Sequence, residues 1–502
     1  MRYIYCRFLC VFTITVAVLV SAPFIQAEPT GTEVLEAMKK AAGFMDGTVS
    51  TRGGYVFMYK ADLSDRWGEI PARDSQIWVQ PPGTPAVGAM LLEAYKTTGD
   101  AVFLEHARRA ADALIWGQHP SGGWHYLIDF DMPGIRKWYE DVASKCWGWE
   151  EYLHYYGNCT FDDEATSAPT LFLLDLYTET LDPRYREPLL KALDFILDAQ
   201  YPNGAWPQRY PLKNEFVHGG HHDYTSFYTF NDGVMRSNID VLLEAWRKLG
   251  NVGYLEAARR GMDFYIAAQL PKPQAGWADQ YGFDMKPAWA RLFEPPAVAT
   301  GQTVRSIRDL EFFYTVTGDR RYLAPIPAAI AWLESATINT DMSKKFNHPY
   351  FGIPRSYTHA YYYEPGTNRP IYAHRSGTGI EDERFWISYD MEDMYPYGPP
   401  YVLNTEPIRK EFERVSALAP EEARAEYNSK LVQDGETRRI DPKIVEDLIA
   451  SMDDRGAWVT EISVSNYLND ALGSPRKNMP GIDMRVYTAN MHTLMSYLKG
   501  LR

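Results

Sequence analysis

Ala165 to Trp206 reads ATSAPTLFLLDLYTETLDPRYREPLLKALDFILDAQYPNGAW. Apolar residues recur at helical spacing on both sides of a Leu-Asp-Pro turn, as at Leu193, Ile196 and Leu197. The second run stops at Gln200, and Pro202-Asn203-Gly204 turns the chain toward Trp206. The unit is a helix, a turn, a second helix and a Gln-(x)n-Gly-x-Trp or Gly-Trp ending. Ala86–Trp124 repeats it, through AVGAMLLEAYKTTGD and FLEHARRAADALIWGQ to HPSGGW. Gly233–Trp277 repeats it again, and TVRSIRDLEFFYTVTGD with YLAPIPAAIAWLES supplies a fourth helix pair. Successive pairs with short turns predict a mainly α chain: an (α/α) toroid or barrel with short β-like segments and long loops on the cleft face. In such a ring the helix-entry loops share one face and become the binding surface. Glycine stops each helix; the tryptophan after it either caps the core or faces the cleft. Trp124 reads either way, and Trp206, in the richer loop, reads as a cleft residue.

The chain has 502 residues, 45% hydrophobic and 14% aromatic, enough for a large core. Residues 1–27 have the pattern of a secretory signal: Arg2 and Arg7, an apolar run from Phe8 to Val20, and Ile25-Gln26-Ala27 before Glu28. An uncleaved anchor is the alternative, but the run is short for a spanning helix. Loss of Arg2 and Arg7 takes the formal charge from −14 to −16, which argues against a nucleic-acid partner. A polyanionic substrate stays open, because local arginines or a bound cation can reverse the local field. With the signal removed, no membrane partner and a monomer are expected. Cys146 and Cys159 then remain, either as a disulfide or as two buried thiols. Residues 28–400 are read as the toroid. Residues 401–502, charged and helical with a last helix from Met484 to Leu501, are read as docking on the same domain.

Five segments carry chemistry. Thr160-Phe161-Asp162-Asp163-Glu164-Ala165-Thr166 sets three acids at a helix start. Capping and dipole matching account for one or two of them; clustered carboxylates without a lysine also make a Ca²⁺ site. Thr229-Phe230-Asn231-Asp232-Gly233 places Asn-Asp at the next helix start, where capping is the bland reading. Trp206-Pro207-Gln208-Arg209-Tyr210-Pro211 is an extended loop with aromatic faces, fit either for sugar or for loop anchoring. Lys286 to Pro296 holds Arg291 and Glu294 among apolar residues, which by itself reads as a structural ion pair. Gly366-Thr367-Asn368-Arg369-Pro370 holds an arginine forced extended by the following proline, suited to a carboxylate. His218, His221 and His222 lack a helical zinc pattern.

Taken together, the segments DDEAT, AQYPNGAWPQ, FND, ARLFE and TNRP resemble, in order and spacing, those of the helical pectate (pectic acid) lyases, polysaccharide lyase family 10. The resemblance covers roughly Thr160 to Tyr372. It implies an (α/α) toroidal barrel dependent on calcium and a lyase of acidic polysaccharide, most directly pectate. It implies that Asp162 and Asp232 serve the metal and substrate-carboxylate region, that Arg291 is the catalytic base and that Arg369 grips a substrate carboxylate. Trp206, Gln208, Asn231 and Asn368 join Arg369 as expected substrate-binding residues. The sequence also departs from the family pattern. DDEAT stands for the usual Asp-Asn-Gly-Ala-Thr, the loop before FND carries His221-His222-Asp223, and PPGTPAVG near the start has no clear counterpart. Two other classes stay open at this point. One is an α/α glycoside hydrolase using Asp162 and Asp232 as acid and base. The other is a uronate-binding protein without activity.

Overall fold

A computed structural model describes residues 28–146, 149, 158–212, 217–218, 221–291, 294–338, 340–341, 356–376, 384–390, 402–433, 440–464 and 477–501. The expected signal lies outside them. The described residues contain fourteen α-helices: α1 (Gly31–Phe44), α2 (Thr84–Thr98), α3 (Ala101–Trp116), α4 (Ile135–Asp141), α5 (Ser167–Thr180), α6 (Arg186–Ala199), α7 (Val234–Leu249), α8 (Val252–Ala267), α9 (Thr300–Thr317), α10 (Ile326–Ser335), α11 (Glu406–Ala417), α12 (Pro420–Gln433), α13 (Pro442–Ala450) and α14 (Met484–Gly500). They form an α/α toroid. In its inner layer α2 packs against α5 and α14, α5 against α7, and α9 against α12. The outer layer runs through α1, α3, α6, α8 and α10, with α13 returning to α1 and α14. None of the described helices is long and apolar enough to cross a membrane.

The pairs form because one turn chemistry is used repeatedly. Gly99, Gly250 and Gly318 end inner helices in the left-handed conformation, with φ of 76°, 73° and 71°. The next residue, Asp100, Asn251 or Asp319, caps the following helical segment by accepting from the backbone N–H two residues on, at 3.1, 3.0 and 2.9 Å. At the second pair the glycine is replaced by Leu181, held at φ 51° with its side chain in solvent.

Each outer helix is tied to the next by a glutamine. Gln118 Nε2 donates to Gly122 O in its own turn and to Pro188 O of α6. Gln200 Nε2 does the same to Gly204 O and Ala257 O of α8, and Gln269 Nε2 to Ala275 O and Pro325 O at the start of α10. The Gly-x-Trp ending is equally regular. The indole N–H groups of Trp124, Trp206 and Trp277 donate to Leu114 O, Ile196 O and Tyr265 O, each at 2.8 Å. Trp458 repeats the contact to Leu448 O at 2.9 Å. Gly456-Ala457-Trp458 is thus a further copy of the ending, inside residues 405–460, where no repeat is visible from periodicity alone. Gly456 sits at φ 105°, and a Cβ there would lie 2.7 Å from Lys40 O of α1. That approach joins the last repeat to the first.

Short strands fill the rims. Met58–Lys60 and Arg66–Trp67 pair in one sheet with Thr460–Val464 and Lys477–Asp483, and Val298–Ala299 leads a second sheet through Tyr362–Tyr363, Pro370–Ser376 and Arg384–Ser388. His218 and His221 pair across a short hairpin. Cys146 and Cys159 are both buried and not joined by a disulfide.

Two substitutions test the turn chemistry. Leu181→Gly relieves a left-handed leucine while losing little buried surface, and is expected to stabilise by roughly 0.5–1 kcal/mol. Gly456→Ala is expected to destabilise by about 2–3 kcal/mol, from backbone strain plus the clash with Lys40 O. Midpoints of thermal or denaturant unfolding measure both.

Candidate active site

Two acidic turns face one another at the amino ends of α5 and α7. Their sequences, Thr160-Phe161-Asp162-Asp163-Glu164 and Thr229-Phe230-Asn231-Asp232-Gly233, are copies of one turn. Asp163 (φ 46°, ψ 38°) and Asp232 (φ 52°, ψ 23°) occupy the same left-handed position in each. The turns are placed by the tryptophans. Trp124 O accepts from Thr160 N at 2.9 Å, and Trp206 O from Thr229 N at 3.0 Å. Trp277 O accepts from Ala299 N at 2.8 Å, at the entry to α9. Each indole is pinned to its outer helix, and its carbonyl holds the next inner-helix entry.

Trp206 is therefore not a sugar platform. Its ring is fully buried and its N–H is committed to Ile196 O. Its cleft assignment fails because the Gly-x-Trp turn needs the indole inside. Trp124 takes the same core position.

Asp162 is buried and accepts from Gln208 Nε2 at 3.1 Å and from the Tyr126 hydroxyl. The Asp162 and Asp232 carboxyl groups are near enough for each to affect the other's proton affinity. Arg291 Nη2 donates to Asp232 Oδ2 at 2.9 Å. Glu294 grips the same guanidinium, accepting from Nε and Nη2 at 3.0 Å each. Asn231 Nδ2 donates to Asp232 Oδ2 at 3.1 Å. On the far side, Gln80 Nε2 bridges Asp163 Oδ2 at 3.1 Å and Glu69 Oε1 at 2.8 Å, and Trp149 Nε1 donates to Glu69 Oε2 at 2.9 Å. The structure thus brings Asp162, Gln208, Asn231, Asp232 and Arg291 together.

Two expected residues stand apart. The guanidinium of Arg369 lies 3.4 Å from the centre of the Tyr389 ring, and among the described residues no hydrogen bond or ion pair joins it to the acidic turns. The side-chain oxygen of Asn368 is occupied, accepting from Trp332 Nε1 at 2.9 Å and Gln274 Nε2 at 3.3 Å, which makes this a structural turn. Periodicity does not reveal Glu69, Gln80, Tyr126 and Trp149, which come from the chain ahead of the first acidic turn. The internal match of TFDDE to TFNDG does identify Asp163 as the counterpart of Asp232.

The electrostatics follow from crowding. Burial, then repulsion from Asp163, raises the Asp162 carboxyl above its usual range. Burial, then repulsion from Asp162, raises Asp232 far more, against the pull of Arg291. Asp163 meets solvent from the cleft but has protein on its other sides; lost solvation first, and repulsion from Asp232 and Glu69 second, push it well up. Asp279, next to the second turn, rises to about 6 mainly through burial. The site holds more negative charge than Arg291 can balance.

Oxygen atoms lacking a donor mark the same place. Asp162 Oδ1, Gln208 Oε1 and Asn231 Oδ1 are buried without a hydrogen-bond partner. Oxygen-only donors with excess negative charge suit a hard cation such as Ca²⁺. Among the described residues no three acidic, histidine or cysteine side chains form a ready metal cage, so the protein side would supply two carboxylates and amide oxygens.

Residues 136–396, just over half of the 502, match the protein-family model described as pectic acid lyase. No curated protein matches the sequence. Among solved structures, the chain is similar to a family 10 polysaccharide lyase from Cellvibrio cellulosa, at 21% identity and TM-score 0.43, covering 66% of this chain and 97% of that one. A mutant of that lyase in complex with trigalacturonic acid gives 21% identity and TM-score 0.43 over 65% and 98% of the two chains. A D-mannose isomerase is matched over 94% of this chain and 98% of its own, at 12% identity and TM-score 0.43.

The raised acids fix a pH dependence for the metal-free protein. A carboxyl whose folded proton affinity exceeds its unfolded one binds extra protons in the fold, so stability falls as pH rises above about 4. Asp163→Asn removes one such group and suits a left-handed turn. It is expected to change little at pH 4 and to stabilise by about 1 kcal/mol at pH 8, a figure reduced for the solvent that reaches Asp163. Denaturant unfolding in chelator at the two pH values measures it.

Proposed function

The chain belongs to the pectic acid lyase family, and from that premise we propose that it cleaves pectate, or a related uronic-acid polymer, by β-elimination. The observation that carries the reading is the facing pair Asp162 and Asp232 with Arg291 bonded to it at 2.9 Å. Residues 1–27 read as a signal, so the reaction takes place outside the cell or in a periplasm.

A 4-linked uronate is cut when the C5 proton is removed, C4=C5 forms and the C4–O bond breaks, with a proton passing to the departing oxygen. The barrier is the charge that develops beside the C5 carboxylate. Asp162 and Asp232, with the amide oxygens of Gln208 and Asn231, are the residues that would hold Ca²⁺. Bound there, the cation would supply positive charge beside the substrate carboxylate, acidifying C5–H, and beside Arg291, disfavouring the protonated guanidinium. Arg291 is assigned the C5 proton. As it stands its guanidinium is charged, because Glu294 and Asp232 both grip it. Its base role therefore depends on Asp232 being drawn away and on water being excluded. Glu294, fully buried, fixes the plane of the guanidinium.

The test is absorbance from the unsaturated sugar end. Wild-type protein with Ca²⁺ is expected to produce it from polygalacturonate, and excess chelator to abolish it reversibly. Arg291→Lys and Asp232→Ala are each expected to lower turnover by about 10²-fold or more. Near-normal turnover of Arg291→Lys with intact binding removes Arg291 from the base role. Reducing ends without absorbance mean hydrolysis and overturn the reading.

A further inference from the structure

Beside the acidic turns lies a second hollow, of about 400 Å³, largely ahead of the family-matched region. Trp116, Leu127 and Ile135 give it an apolar wall, with His125 and Asn158 among its polar groups. It adjoins the site through consecutive contacts. His125 Nε2 is 3.1 Å from Arg209 Nη1, the Arg209 guanidinium lies over the Tyr126 ring at 5.2 Å, and the Tyr126 hydroxyl donates to Asp162. Asn158 is four residues before Asp162, at most about 13 Å of extended chain.

Two observations mark the hollow as built for a ligand. Asn158 is 2% exposed, and its Oδ1 has no hydrogen-bond partner, while its Nδ2 has only a long contact of 3.5 Å to Pro211 O. A buried amide oxygen without a donor awaits one. Trp116, by contrast, is 50% exposed at the mouth, its ring centre 4.6 Å from that of Phe130. A large aromatic ring beside a buried acceptor suits a pyranose, which offers C–H faces and hydroxyl donors.

The charges choose which pyranose. Among the described residues the wall carries one carboxylate, Asp129, and no lysine or arginine. Asp129 already accepts from Gln76 at 3.0 Å and pairs with Arg73 at 3.5 Å, and Arg73 also pairs with Asp131. A uronate here would set a second carboxylate near Asp129, while the neighbouring guanidinium groups are already engaged, Arg73 with Asp129 and Asp131 and Arg209 with His125 and the Tyr126 ring. We infer that this hollow is a subsite for a neutral pyranose of the substrate, so that the natural polymer combines uronate with neutral sugar. The inference rests on the uronate reading of the neighbouring acidic site.

The experiment compares linear polygalacturonate, polygalacturonate bearing neutral galactose branches, and a polymer in which galacturonate alternates with a neutral sugar in the backbone. Wild-type kcat/KM, read from the unsaturated product, is expected to be at least about fivefold higher on one of the mixed polymers than on the linear one. Which of them is preferred tells branch from backbone. Trp116→Ala and Asn158→Ala are each expected to bring that preference down to about one, mainly through a higher KM on the mixed polymer. No preference in the wild type, or equal losses on all three polymers, overturns the subsite. If no polymer yields unsaturated product, the lyase reading fails by itself. Retention of wild type and Trp116→Ala in gels cast with each polymer then decides the subsite: stronger retention by a mixed polymer that the variant loses supports it, and equal retention overturns it.

Discussion

The arrangement depends on a hydrogen bond made where no substrate reaches, from a buried indole N–H to a carbonyl near the end of an outer helix. It fixes the tryptophan, and the tryptophan's own carbonyl fixes the entry to the next inner helix. Trp124 holds Thr160, and Trp206 holds Thr229. Two residues beyond each threonine lie Asp162 and Asn231, followed by Asp163 and Asp232. Carboxylates are thereby held near one another by a scaffold that does not need them for its own stability. Left to electrostatics alone they would move apart, because each raises the proton affinity of the next.

That scaffold gives the acidic site a crowd of carboxyl groups with the Arg291 guanidinium set against them. Arg291 is oriented by Glu294 and bonded to Asp232, and Gln208 and Tyr126 fix Asp162. The amide oxygens left without donors stand among these groups. An anionic sugar approaching this place is attracted only once positive charge has been added. On the proposed reading, a cation and an acidic polymer would therefore bind in a coupled way, the cation first. The neighbouring hollow, with Trp116 and Asn158, has a different character and no such requirement.

Much of this is legible in the chain. The helix-pair repeat, the Gly-Asp turns and the two acidic helix starts all follow from local spacing, since each depends on residues a few positions apart. Trp206 is misread because an aromatic ring in a polar loop looks the same whether it faces the cleft or the core; only the carbonyl of Ile196 decides. Asn368 is misread for a related reason, since its partners Trp332 and Gln274 come from other units, and the contact of Arg369 with Tyr389 is equally invisible to local spacing. Glu69, Gln80 and Trp149 reach the site through long-range packing that no periodicity encodes. The repeat at Gly456-Ala457-Trp458 is short enough to be lost among charged helices, although it uses the same three-residue ending.

The Tyr497 hydroxyl donates to Pro29 O at 3.0 Å, and α14 packs against α1 and α2. The described chain ends where it starts, and the ring has no privileged opening. A circularly permuted gene, with these ends linked and new termini cut into one of the exposed Gly-Asx turns, would encode the same closed wheel of helices.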